Sequence, residues 1–171
     1  MKESTAAASA FPRLVVAGLS GESGKTLVSL SLLLAARRRG IPAAAFKKGP
    51  DYIDAAWLSW ASERPARNLD TWLMGFDSAA ESFARHAVYP GLNVVEGNRG
   101  LYDGTDPRGT HSTAELAKAL SAPVVLVVNC TKVTRTAAAL VLGASAVMIG
   151  TGFLRTPEAK AAFAAKGLEP A

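Results

Sequence analysis

The sequence predicts an α/β fold, a doubly wound and mostly parallel sheet with helices on both faces. Three observations predict it. Short apolar runs rich in β-branched residues alternate with longer helical stretches along the whole chain. Those runs are continuously apolar rather than alternating, as strands covered on both faces are. The first of them leads into a glycine-rich turn and then an apolar helix, an order suited to presenting helix amides to an anion.

Residues 1–12, MKESTAAASAFP, carry an alanine-rich patch but no sustained apolar segment and no clear cleavage site, so they are expected to be a disordered leader. The first strand is Leu14–Ala17. It is followed by helix Lys25–Arg39, whose closing arginines Arg37, Arg38 and Arg39 offset the helix dipole. Strand Ala43–Phe46 and helix Ile53–Ser62 come next. Helix Ser78–Ala87 has Asp77 as its expected cap, and strand Leu92–Val95 leads to helix Thr113–Leu120, capped by Ser112. Strand Val124–Val128, helix Thr134–Leu142, strand Ala146–Ile149 and helix Pro157–Ala165 complete the pattern. One domain spanning 13–143 is expected, followed by an atypical alanine- and glycine-rich tail, 144–171.

Composition narrows the function. Hydrophobic residues make up 49% of the 171, yet no run of 18 apolar residues occurs, so a soluble protein without a membrane span is expected. Cys130 is the single cysteine, which rules out an internal disulfide and suits a reducing cytoplasm. It is expected to be a buried, inert thiol. His86 and His111 stand too far apart in sequence for a zinc pattern and read as solvated surface residues. The net charge of +5 is concentrated in the first 50 residues, which hold eight Lys/Arg against two acids. No aromatic interleaving accompanies it, so anionic small ligands fit better than nucleic acid.

The motif that carries chemistry is "GLSGESGKT", Gly18 to Thr26. A phosphate loop needs converging backbone N–H groups, small residues, a lysine for charge and a hydroxyl for magnesium. Gly21, Gly24, Lys25 and Thr26 supply these between a strand and a helix, the layout of a P-loop NTPase-like fold. Leu19 occupies the place of the first glycine, and Gly18 stands one residue early. Glu22 is the second anomaly: a non-glycine residue at a positive-φ position costs about 1 kcal/mol, and its carboxylate faces an anion site. Two further segments follow strand ends, where such sheets gather ligands. They are "FKKGPDYID", with Lys47, Lys48, Asp51 and Asp54, and "VVEGNRGLYDG", with Glu96 and Asp103. An acid at the end of a buried strand is costly without a cation to serve, and magnesium with ATP provides one. Asp54 and Asp106 read equally well as loop acids that cap turns.

The segments "GESGKT", "FKKGPDYIDAAW", "RNLDTWLMG", "VVEGNRGLYDG" and "STAELAKALSAPVVLVVNCTKVTRTAAALVLG" together resemble the N-terminal synthetase domain of the cobyrinic acid a,c-diamide synthase and siroheme-type amidase family. The resemblance spans residues 13–143. It implies ATP-dependent amidation of the a and c carboxylates of a tetrapyrrole through an acyl phosphate, with glutamine as the nitrogen source. It also implies roles for particular residues. Gly21, Ser23, Gly24, Lys25 and Thr26 would cradle the phosphates, and Thr26, Asp51 and Glu96 would hold magnesium. Lys47 would neutralise charge between the γ-phosphate and the acceptor carboxylate, with Asp54 and Asp103 ordering that site. Arg67 and Asp70 would gate the cleft, and Trp72 is expected in the core rather than against the macrocycle.

Three departures from that family stand out. Glu22 stands where that family has glycine; the strands beyond helix Thr134–Leu142 are expected to be missing, which would truncate the sheet, and the C-terminal glutaminase domain is expected to be absent. Ammonia would then come free or from a separate glutaminase subunit. Residues 137–163 resemble the closing helix-strand-turn of nitronate monooxygenases, which suggests a join at Leu142–Gly143 and a borrowed strand at Ala146–Ile149. Two other readings stay open: a remnant that binds nucleotide and turns nothing over, and a partitioning-type ATPase that forms a homodimer around ATP. Ser20, where those ATPases carry a second lysine, speaks against the last.

Overall fold

The computed structural model describes residues 11–131 and 147–149. Its strands are β1 (Arg13–Gly18), β2 (Ala43–Lys48), β3 (Arg67–Leu69), β4 (Leu92–Gly100), β5 (Val124–Val128) and β6 (Val147–Ile149). The helices are α1 (Lys25–Arg38), α2 (Tyr52–Ser62), α3 (Thr71–His86) and α4 (Thr113–Ala119). The strands form one sheet in the order β3-β2-β4-β1-β5-β6, and every neighbouring pair is parallel. This is the α/β architecture expected from the sequence, with the sheet covered on both faces.

Successive residues of a strand point to opposite faces, so each central strand feeds two cores. Val15, Phe46 and Val95 pack with Leu69, Ala79, Phe83, Leu116 and Leu120 beneath α3 and α4. Val16, Ala45 and Val94 pack with Leu33, Leu58, Ala61 and Val127 beneath α1 and α2. Both-face burial is why these strands read as unbroken apolar runs. The parallel arrangement brings all C-terminal strand ends to one edge, and the loops that leave that edge hold the candidate site.

Several elements differ from expectation. Strand β3 was not foreseen, because "RNL" is short and polar; its place comes from pairing with β2, Phe46 opposite Arg67. Helix α3 begins seven residues before the expected Ser78. Its cap is Asp70, whose Oδ1 accepts from the N–H groups of Trp72 (3.0 Å) and Leu73 (3.3 Å). Asp77 is therefore not a cap; it lies exposed within the helix. Gly75, at φ 78 and ψ 164, breaks α3 after its first turn, which hid that turn from a periodicity argument. Ser112 does cap α4, accepting from Glu115 N–H at 3.4 Å. Trp72 is 66% exposed, against the core placement expected for it. Within the tail, Val147–Ile149 pairs in parallel with β5, where the borrowed strand was expected. Helices Thr134–Leu142 and Pro157–Ala165, the join at Leu142–Gly143 and most of the leader lie outside the described residues.

Candidate functional site

Strand β1 ends at Gly18, and the turn that follows is folded by Ser23. Its hydroxyl donates to Ser20 O (2.8 Å) and accepts from Ser20 N–H (3.2 Å). This packs Ser23 against Gly18, where an added Cβ would stand 2.9 Å from Ser23 Cβ. The early glycine is thus the one the turn needs, and Leu19, 37% exposed, carries no such constraint. Gly24 takes φ 91 and caps α1 without a side chain, and no acid sits in the first turn. The positive end of a 14-residue helix is left for an anion.

Lys25 is buried, and its ammonium donates to Ser20 O at 2.8 Å. Burial lowers its pKa below the ordinary 10.5, and Lys47 lowers it further, while Glu96, Asp54 and Asp103 pull the other way. Glu22 is exposed at φ 54, the strained position anticipated from the sequence.

The acids meet the loop at Glu96. This side chain is fully buried, and its Oε1 accepts from both Thr26 Oγ1 (2.7 Å) and Lys47 Nζ (2.9 Å). Lys47 Nζ also donates to Asp54 Oδ2 at 2.6 Å. Desolvation depresses the Lys47 pKa, but the two carboxylates more than offset it and hold the ammonium above its ordinary value. Glu96 Oε2 is buried and has no hydrogen-bond partner among the described residues. These groups line a cavity of about 340 Å³ together with Gly21, Glu22, Ser23 and Gly24. So the structure brings together Gly21, Ser23, Gly24, Lys25, Thr26, Lys47, Asp54 and Glu96.

It separates two of the expected residues from them. Asp51 is the cap of α2: its Oδ1 accepts from Ile53 N–H (2.9 Å) and Asp54 N–H (3.1 Å), and it does not line this cavity. Asp51 spends its Oδ1 on starting α2. Asp103 lines a neighbouring cavity of about 570 Å³, its Oδ2 accepting from Gly100 N–H at 2.8 Å. Among the described residues no three His, Cys, Asp or Glu side chains converge as a metal cluster. Asp106 is a turn acid, accepting from the N–H groups of Arg108 and Thr110.

Sequence reasoning missed Asn98 and Arg99, which line both cavities. The only signal was a lone arginine in the glycine-rich segment after a buried strand. It also misjudged His111. That residue is half-buried at φ 60, its ring stacks on Phe76 (centroids 5.2 Å apart, planes within 8°), and Nδ1 lies 3.1 Å from Thr71 Oγ1. His86 is half-buried too, 2.8 Å from Ser82 O. Cys130 is half-buried against Ala17, Leu126 and Val128, without an ionisable partner in that cluster.

No family model matches the chain. Curated relatives do. The chain is 50% identical over 133 residues to the cobyrinate a,c-diamide synthase of Syntrophotalea carbinolica, covering 77% of this chain and 29% of that protein. It is 47% identical over 133 residues to the one from Magnetococcus marinus, covering 78% and 28%. For the synthase of Archaeoglobus fulgidus the figures are 41% over 134 residues, 78% and 29%. The chain thus spans less than a third of the length of these relatives.

Proposed function

We propose that this chain, a relative of the cobyrinate a,c-diamide synthases over some three quarters of its length, binds ATP on the glycine loop and phosphorylates a side-chain carboxylate of a tetrapyrrole acid. One observation carries the reading: Glu96 Oε1 receives both the Thr26 hydroxyl and the Lys47 ammonium beside the side-chain-free start of α1. A triphosphate there would meet the α1 amides and Lys25, while Lys47 faces the γ-phosphate.

The chemistry balances without a protein nucleophile. A carboxylate oxygen of the acceptor attacks the γ-phosphorus, the bond to the bridging oxygen breaks, and ADP leaves. Ammonia, free or from a separate glutaminase subunit, then attacks the acyl carbon; inorganic phosphate departs and one ammonia proton is lost to solvent. Lys47 suits this step because its ion pairs keep it protonated through neutral pH, lowering repulsion between two anions. Asp54 orients that ammonium, and Asp103 holds the Gly100 turn on the acceptor side. Magnesium fits Thr26 and Glu96, since Glu96 Oε1 is taken by Lys47 while Oε2 is a buried carboxylate oxygen without a hydrogen-bond partner among the described residues. When bound it neutralises phosphate charge. Asp51 serves the site by starting α2, which carries Asp54.

The test is calorimetry with Mg-ATP. The natural chain binds, and Lys25→Ala weakens binding about 30-fold or more, as expected for deleting a desolvated charge partner. No binding by either protein overturns the reading. Ammonium plus a cobyrinic acid acceptor should yield acceptor-dependent ADP; binding without it would leave a nucleotide-binding remnant instead.

Two smaller effects follow from the loop. Glu22→Gly relieves about 1 kcal/mol of backbone strain, which raises folding stability, and it removes a carboxylate from the cavity rim, so Mg-ATP binds more tightly. Equal or tighter binding by the natural sequence refutes this. The second effect concerns pH. Lys25 loses its proton below its ordinary 10.5, so ATP affinity falls as pH rises into the alkaline range, with proton uptake on binding. Lys25→Ala should flatten that profile; an unchanged slope would show that another group is responsible.

A further inference from the structure

The cavity of about 570 Å³ beside the glycine-loop cavity contains none of the residues Gly21–Thr26, yet the two share Asn98 and Arg99 as a common wall. Arg99 stands at φ 49 near the end of β4, where the β1/β4 register shifts between Val16 and Gly18. A non-glycine residue in the left-handed region costs about 1 kcal/mol, and a bulge of this kind re-aims a side chain. Lys48 ends β2 on the opposite pleat to Lys47. Lys47 therefore lines the loop cavity and Lys48 the neighbouring one.

The cations of this second cavity are not paired. Among the described residues neither Lys48 nor Arg99 has a carboxylate within 4.0 Å. The two acids on the wall each spend one oxygen on backbone amides, Asp70 Oδ1 on α3's first turn and Asp103 Oδ2 on Gly100 N–H; Asp70 attracts Lys48 only from beyond ion-pair distance, while Arg99 repels that lysine. At the rim, Trp72 is held 66% exposed on the single turn between Asp70 and the Gly75 break. Two unpaired cations that share a cavity with a bare indole match a ligand with an apolar ring face and several carboxylates.

We infer that Lys48 and Arg99 bind carboxylates of the acceptor that do not react, while Trp72 covers its ring. The cavity thereby selects polycarboxylate macrocycles and presents one carboxylate across the Asn98–Arg99 wall to the γ-phosphate. This rests on the phosphorylation reading above. A cavity of this size encloses the edge of a macrocycle rather than the whole.

The test uses uroporphyrin I, an octacarboxylate, and deuteroporphyrin, a dicarboxylate, followed by tryptophan quenching and calorimetry. The natural chain binds uroporphyrin more tightly than deuteroporphyrin, and salt weakens the former more. Lys48→Met weakens uroporphyrin at least tenfold and leaves Mg-ATP binding unchanged. Arg99→Gly removes the charge and the strain together, so it melts higher than the natural chain yet binds uroporphyrin at least tenfold more weakly; a purely structural Arg99 would not split these readouts. Unchanged uroporphyrin affinity in both variants overturns the inference, as does a natural chain that binds Mg-ATP and no porphyrin. Porphyrin binding without Mg-ATP binding would instead refute the nucleotide reading and spare the cavity.

Discussion

Lys47→Met is expected to cost about 3–5 kcal/mol of stability, because it strands Glu96 as a buried carboxylate with only the Thr26 hydroxyl for company. The side chains of Lys47 and Glu96 are 3% and 0% exposed, so solvent cannot take over from the ammonium. Adding Glu96→Gln should recover much of the loss by removing the charge left behind. Urea unfolding with an unchanged slope measures both. A loss below about 1 kcal/mol in the single variant would mean that water already reaches the pair. The pH dependence has a definite sign. Lys47 titrates higher folded than unfolded, so its contribution is fully present below the ordinary 10.5 and disappears as pH rises through the folded value. The gap between natural and Lys47→Met proteins should therefore stay flat through neutral pH and narrow only in strong alkali.

Phe83→Ala is expected to cost about 3–5 kcal/mol. Phe83 is fully buried; its ring centroid lies 4.8 Å from that of Phe46 and 6.4 Å from that of Phe11. It pins α3 to the face of the sheet that also carries α4. The glycine loop and α1 rest on the other face, over Val16, Leu33, Leu58 and Val127. At a temperature where the variant is still folded, Mg-ATP affinity should change little, while uroporphyrin affinity falls because α3 carries Trp72. Denaturation midpoints and paired titrations read this. Equal loss of both ligands would show that the two faces are not independent.

The legible part of this protein is the part governed by local pattern. Val15, Phe46, Val94 and Val127 lie in continuous apolar runs, and such runs have few ways to be buried other than as central parallel strands. The glycine loop was legible because strand, turn, Gly-Lys-Thr and helix come in one stretch. The less legible part is wherever a residue's partner is distant in sequence. Strand β3 is polar and is ordered by β2. Trp72 looked like core until Gly75 broke the helix and left the indole outside. Asp51, expected among the metal ligands, caps α2 through Oδ1 and lies outside the glycine-loop cavity.

Sequence alone therefore determined the layered parallel sheet, the loop and the acids at its edge, because periodicity and turn chemistry act over a few residues. The tertiary structure decided which of those acids share a cavity. Glu96 meets Thr26, 70 positions away, and Lys47, 49 positions away, only because β4 lies between β1 and β2 in the sheet. Strand order is set by how the helices cover both faces at once, a whole-molecule packing condition that no short stretch encodes.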